Sequence, residues 1–484
     1  MGNSAGYWLP RFLFQRGLGL VYLIAFLTAV NQFLPLAGDH GLTPVRLFVQ
    51  RVLFRTTPSL FYLYPHDAAF AAAAWLGLAL SCVAFVGISD RYGPWFSVLI
   101  WSLLWLLYLS FVNVGQTWYA FGWETMLLEA GFFAIFLGSG TTAVRAIPLW
   151  ILRWMEFRVM FGAGLIKLRG DPCWRNLTCL NSFYETQPIP NPLSWYFHWA
   201  PEWMHKSGVL VNHFVELAVP FGLLLPQPVA SIAALVIIAF QCSLMLSGNL
   251  SFLNLLTIVI AIPALDGRLL AWLPVHVPTL PPPARATQYA MAGLGVLAAA
   301  LSIQPVLNMI SPNQYMNASF NSLHLVNTYG AFGSITKTRY EIVVEGTGDA
   351  VPNAASVWRE YEFKGKPGDV MRRPPQIAPY HLRLDWLMWF AAMGSYEQYP
   401  WFINFTAKLL EGDPAVLGLL RTNPFPDRPP RNVRALLYLY RFTTPAEHAQ
   451  TGAWWKRELE GTWLPPLSLD NPGFQELLRD QGWL

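Results

Sequence analysis

Apolar and polar positions are unevenly distributed: long apolar runs fill the sequence as far as Ile310, and none follows Ser311, Pro312 and Asn313. A helix that crosses a bilayer needs roughly 17 to 25 mainly apolar residues. On that measure the pattern predicts spans at 18–36, 68–88, 95–112, 123–137, 147–168, 209–225, 229–246, 253–265 and 289–310, about eight or nine in all. Between the first two lies a polar, proline-containing loop, 37–66, with Arg46, Arg51 and Arg55, read as carrying a short helix on the surface. Pro226 and Pro228 end one helix before the next begins. A proline-rich connection, 278–283, precedes the last span. Arg11 and Arg16 precede the first run, and no small-residue cleavage site follows it, so it is read as an uncleaved span.

Beyond Ile310 the period changes. Residues 339–346 and 358–364 alternate between polar and apolar and are bounded by Gly, Pro and Asp, which predicts strands, and 433–442 makes a third. Between the second and third, 384–392 and 402–410 read as short helices. The expected architecture is an α-helical polytopic membrane bundle over 1–310, followed by a polar, strand-rich α+β domain of sandwich-like character over 311–484.

Composition agrees with this. Of 484 residues only 12% are charged, against roughly 25% in a soluble domain. The 22 Trp, 19 Tyr and 32 Phe exceed what one core needs and suit two membrane–water interfaces. The net charge of +4 is small and its cations are scattered, which removes nucleic acid as a partner and leaves the lipid bilayer. Arginines before the first span and in the first loop pull membrane orientation in opposite directions.

Ionisable groups at membrane depth are costly and read as functional or as buried pairs. Glu124 and Glu129 fall in one predicted span; Arg153, Glu156, Arg158 and Lys167 fall in the next. Arg153 and Glu156 share a helix face, which allows a salt bridge that fixes packing. Glu124 and Glu129 are too far round their helix to act together, and one of them is a candidate partner for Arg158. Lys167 has two readings: its stem snorkels to the interface, or a dry cavity lowers its pKa and makes it a catalytic base. His213 and Glu216, three apart in an apolar run, form a second polar pair that could face a cavity. Cys173 and Cys179 allow a local disulfide if their segment meets an oxidising compartment. Sequons at Asn176 and Asn404 lean the same way. No phosphate loop, zinc motif or nucleophile elbow is present, and no motif indicates a metal or names a cofactor.

Longer motifs surround these residues. Gly17-Leu18-Gly19-Leu20-Val21-Tyr22, Phe157-Arg158-Val159-Met160-Phe161-Gly162-Ala163-Gly164-Leu165-Ile166-Lys167-Leu168-Arg169-Gly170-Asp171-Pro172-Cys173-Trp174, Tyr184-Glu185-Thr186-Gln187-Pro188-Ile189-Pro190-Asn191-Pro192, Asn327-Thr328-Tyr329-Gly330 and Pro379-Tyr380-His381-Leu382-Arg383-Leu384-Asp385-Trp386 together resemble the lipase maturation factor family. The resemblance covers nearly the whole chain. It implies a polytopic protein, resident in animals in the endoplasmic reticulum, that helps dimeric lipases fold and assemble. It also implies that the C-terminal domain engages the client, which makes His381, Arg383, Asp385 and Trp386 candidate client contacts. The chain is shorter than the animal members are expected to be and resembles their bacterial relatives, for which an inner membrane is implied. A shorter likeness to vitamin K-dependent γ-carboxylase and related transmembrane proteins rests on Ala163-Gly164-Leu165-Ile166-Lys167-Leu168 followed by Trp174. That likeness implies a shared membrane fold and places Lys167 where the carboxylase has its base.

Overall fold

The longest apolar run becomes α1, Trp8–Ala37, in a computed structural model that describes residues 4–280 and 285–483. The helix starts earlier than the apolar run because two arginines are satisfied there. Arg11 donates to the Thr142 carbonyl at 2.9 Å, and Arg16 pairs with Asp90. Within the following connection a short helix forms, α2, Val45–Arg51. Next come α3, Asp67–Val86, and α4, Pro94–Val114. Gly19 lets α1 and α3 approach closely: a Cβ there would stand 2.7 Å from the Phe85 backbone nitrogen.

The two charge-bearing segments form α5, Gly122–Ala134, and α6, Ala146–Arg169. Three short helices follow: α7, Pro172–Arg175, α8, Leu180–Thr186, and α9, Ser194–His198. Helix α10, Glu202–His213, passes through a π-helical turn at Phe214–Ala218 into α11, Val219–Leu223. The bundle is completed by α12, Val229–Ser247, α13, Leu253–Ala261, α14, Arg285–Leu301, and α15, Ile303–Ile310. Residues 281–283 of the expected proline-rich connection lie outside the described residues. Among the described residues, five helical stretches are long and apolar enough to cross a membrane by length and composition: α1, α3, α4, α12 and the α14–α15 pair. The chain is an integral membrane protein. Of the remaining predicted spans, α6 is 24 residues long but carries five charged residues, and the others are shorter helices held by packing and charge pairing.

Strands occupy the C-terminal region. A two-residue ladder joins β1, Ala318–Ser319, to β2, Asn327–Thr328. The main sheet holds β3, Arg339–Thr347, β4, Arg359–Glu360, β5, Asn432–Phe442, and β6, Trp455–Leu467, all antiparallel in the order β4-β3-β5-β6. The sandwich-like expectation gives way here to a sheet covered by helix. Helix α16, Arg383–Ala391, packs on β3, and α17, Pro400–Glu411, packs on β5. Leu387, Met388, Phe402, Phe405 and Leu409 supply the apolar surface that a second sheet would have offered. Three further helices complete the region: α18, Pro414–Leu417, α19, Pro445–Thr451, and α20, Pro472–Gln481.

The predicted strand at 358–364 contracts to the two residues of β4. Strand β6 has no counterpart among the predicted elements. Its exposed Lys456, Glu458 and Glu460 and its Pro465-Pro466 read as a solvated loop, which is how an edge strand protects itself. One continuous set of buried apolar side chains runs from Trp8 in α1 to Leu478 in α20, so the strand-bearing region is seated on the helices.

Candidate functional site

Three buried charge clusters join the two halves of the chain, and each is built around one of the motifs noted above. In the first, Glu129 on α5 pairs with Arg158 on α6, both essentially without solvent exposure. One oxygen of Glu129 also accepts from the Asn327 backbone nitrogen at 2.9 Å, the Asn327 side-chain nitrogen at 3.1 Å and the Tyr329 hydroxyl at 2.8 Å. Arg158 in turn donates to the Asn327 carbonyl. The Asn327-Thr328-Tyr329-Gly330 stretch is thus inserted into the helical bundle. Gly162 makes room for it, since a Cβ there would stand 2.4 Å from the Tyr329 carbonyl oxygen.

In the second, Glu124, one and a half turns before Glu129 on α5, pairs with Arg383 at 2.8 Å and accepts from the Tyr108 hydroxyl. His381 Nδ1 stands 3.8 Å from the same carboxylate. Arg383 lies 3.5 Å above the Tyr119 ring and donates to the Trp118 carbonyl. Gln32 on α1 grips the backbone here: its side-chain nitrogen donates to the His381 carbonyl at 2.6 Å, and its oxygen accepts from the Arg383 nitrogen at 3.0 Å. Burial pushes the His381 imidazole down to about 4, so it is neutral at pH 7. Burial works against the Arg383 charge too, but the Glu124 carboxylate together with the Tyr119 and Tyr108 hydroxyls outweighs it and raises the pKa. Asp385 caps the Gly365 and Lys366 backbone nitrogens at 2.6 and 2.9 Å, while burial pushes its carboxyl up. Trp386 stacks edge-on against Phe121 and Trp123.

The third cluster holds the Tyr184–Pro192 motif, residues 184–192. Arg339 at the start of β3 donates to the carbonyls of Glu185, Gln187 and Pro188 at 2.9, 2.5 and 3.0 Å, and its charge is balanced by Glu341, which also pairs with Lys366 at 2.8 Å.

Lys167 lies apart from these, near the end of α6. It pairs with Glu216 at 2.5 Å and donates to Asn212 at 3.0 Å, and its ammonium sits 4.9 Å above the Trp174 ring. It is buried, so the snorkelling reading does not hold. Nor are its partners Glu124, Glu156 or Arg158. Its ammonium is taken up by the Glu216 carboxylate and the Asn212 oxygen and covered by the Trp174 face. Glu216 sits on the π-helical turn, an irregularity that turns it toward Lys167. His213 instead has Nε2 3.1 Å from the Trp174 carbonyl. Cys173 and Cys179 are joined as a disulfide, Cα atoms 4.8 Å apart, within a small cluster that includes Trp174, Phe183 and Val209.

Two expectations need correction. Arg153 and Glu156 share a face but do not pair: Arg153 donates to the Pro263 carbonyl at 3.1 Å and lies over the Trp150 ring, while Glu156 is fully buried with neither oxygen partnered among the described residues. The guanidinium is directed to the Pro263 carbonyl and the Trp150 face, away from the carboxylate on its own helix. Secondly, His381, Arg383, Asp385 and Trp386 are all buried, so they offer no surface to a client; they hold the C-terminal region onto the bundle. Sequence reasoning overlooked Gln32, Tyr108 and Asn212 as members of these clusters. Gln32 had a signal, a polar residue inside an apolar run.

Comparison with known proteins gives the same picture along the chain. Residues 9–272 match the family described as Lipase maturation factor transmembrane domain, and residues 325–465 match Lipase maturation factor C-terminal domain. Lipase maturation factor 1 of Homo sapiens is 44% identical over 99% of this chain and 91% of its own length. The Bos taurus protein of that name is 44% identical over 96% and 90%. Lipase maturation factor 2 of Gallus gallus is 30% identical over 98% and 83%. No solved structure matches.

Proposed function

The chain belongs to the lipase maturation factor family, and from that premise we propose that it is a membrane-embedded folding factor that matures lipases among exported client proteins. The observation that carries the reading is the kinship along 99% of the chain, joined to a polar half that is bolted to the bundle by buried charge pairs. A rigid platform at the membrane surface suits a protein that must hold a client while it folds. We divide it at 310 and 311: 1–310 spans the bilayer, and 311–484 forms the platform. The client contacts belong to the platform's exposed face, not to the buried 379–386 motif.

In this reading the bundle makes about nine passes, the five long helices together with α5, α6, α10–α11 and α13. Hydrogen bonds and an ion pair made to the connections support it by sorting them into two ends. Arg11 with Thr142, Gln15 with Gly138 and Arg16 with Asp90 gather at one end. Trp118 with Thr43, Asn113 with Ser322 and Asn404 with Leu42 gather at the other. The second end also carries the Cys173–Cys179 disulfide, which belongs in an oxidising compartment, so the platform faces the exoplasmic side. The membrane is that of the endoplasmic reticulum in a eukaryotic host and the inner membrane in a bacterial one. The lysine-base alternative is not favoured, because Lys167 is consumed by Glu216 and Asn212.

Affinity capture of the full chain from cells synthesising a secreted lipase tests the proposal. The newly made lipase is expected to co-purify, and its absence at wild-type levels of both proteins would overturn the reading. Labelling of an Ala354→Cys variant on intact membrane vesicles tests the orientation: reaction from the exoplasmic face is expected, and reaction only from the cytoplasmic face reverses it.

A further inference from the structure

The connection between α1 and α3 carries a feature that neither the charge clusters nor the folding role uses. Residues 40–66 contain no Asp or Glu but three arginines, Arg46, Arg51 and Arg55, all exposed and none paired with a described residue. The same segment holds out Leu53, Phe54, Leu63 and Tyr64, which are 62%, 57%, 84% and 56% exposed. These side chains are not carried on a loose loop. Ser59 donates to the Ser110 carbonyl at 3.0 Å, Asn113 to the Pro58 carbonyl at 2.8 Å, Gln116 to the Thr43 carbonyl at 2.9 Å, and Tyr62 to the Val52 carbonyl at 3.0 Å. All but the last fix the segment to the end of α4 or the residues just beyond it. Because it leaves one membrane helix and enters another, it lies at the bilayer surface. There, exposed aliphatic and aromatic side chains with arginines among them match the acyl–headgroup boundary.

Behind α2 runs a groove of about 470 Å³, within the range of sites that hold small ligands. Leu47, Phe48 and Arg51 line one wall, and Tyr399, Trp401 and Trp483 line the other, with no acidic residue among the lining. An apolar trough with a lone guanidinium on its wall, beside two further unpaired arginines, is complementary to a ligand with an aliphatic tail and an anionic head.

We propose that residues 45–65 and this groove form a binding site for an anionic phospholipid of the bilayer, one acyl chain lying in the groove and the phosphate on Arg51, with Arg46 and Arg55 adding to the attraction. The site needs only α1 and α3 to be spans, so it stands or falls separately from the client reading. Near a charged surface each basic residue adds about a factor of five to binding, so removing three costs on the order of a hundredfold.

Native mass spectrometry of the detergent-solubilised full chain, titrated with phosphatidylglycerol or phosphatidylcholine, tests this. Phosphatidylglycerol is expected to bind preferentially. The R46A/R51A/R55A variant is expected to lose affinity on the order of a hundredfold, and the corresponding triple lysine variant to keep most of it. Leu47→Trp, which fills the groove and leaves every charge in place, is expected to weaken phosphatidylglycerol too. Equal binding of the two lipids, wild-type affinity in the alanine variant, or displacement of the lipid by soluble glycerol phosphate would each overturn the proposal.

Discussion

Glu129 and Glu156 are both fully buried on neighbouring helices, yet their surroundings predict opposite responses to the same change. Glu129 balances Arg158 and gathers Asn327 and Tyr329. Glu129→Gln therefore leaves a buried guanidinium without its counter-charge, at a cost of about 3 to 5 kcal/mol. Glu156 has no described partner to strand, so Glu156→Gln should leave the thermal midpoint in detergent near that of the parent. Equal losses in the two variants would show that the pairing is not what stabilises the site. His381 makes a second prediction. An unfolded histidine titrates near 6.5, and burial holds the folded one to about 4. Between those values only the unfolded chain takes up the proton, so this residue costs nothing above pH 6.5 and progressively destabilises the fold as pH falls toward 4. At pH 5 the cost is about 2 kcal/mol. The drop in unfolding midpoint from pH 7 to pH 5 should accordingly be smaller in His381→Gln than in the parent chain, and an equal drop would contradict the assignment. At this scale the sequence showed which charges lie in apolar surroundings and offered an α5 glutamate to Arg158, but it did not show the partner of Glu124, because Arg383 comes from a segment more than two hundred residues away.

Hydrophobic period located the helices well, since a run such as α4 has few other ways to bury its surface. It failed where packing or pairing overrides pattern. Helix α1 extends back over Arg11 and Arg16 because carbonyls and Asp90 wait for them, and β6 forms from a charged segment because β5 offers it a ladder. The π-helical turn at Phe214–Ala218 is likewise invisible in the sequence, although it sets Glu216 against Lys167. The α7–α8 segment yields a prediction of its own. The disulfide closes a short loop under Trp174, and by chain entropy alone the Cys173→Ser, Cys179→Ser double variant should lose about 2 kcal/mol. A reducing agent should lower the thermal midpoint of the parent by a similar amount and leave the variant unmoved; a parent insensitive to reduction would argue that the bond adds nothing.

For the whole molecule, the motifs that mark the family are the fastenings between its halves. The 157–174 and 327–330 stretches meet through Arg158 and Asn327, Arg339 of β3 grips 184–192, and Arg383 of 379–386 pairs with Glu124 on α5. Their chemistry is that of assembly, which explains why reading them as client contacts placed the client in the interior. A platform held this way should act only while seated. Arg383→Met strands Glu124 and removes the guanidinium's hold on the Trp118 carbonyl, so it should loosen the platform without touching the platform's outer surface. The most direct test is co-expression with a secreted lipase in a host that lacks lipase maturation factors, scoring lipase activity per secreted molecule. The parent chain should raise that ratio, and Arg383→Met, at equal abundance in the membrane, should return it to the level without the chain. An unchanged ratio with the parent chain, or full activity with the variant, would contradict the account.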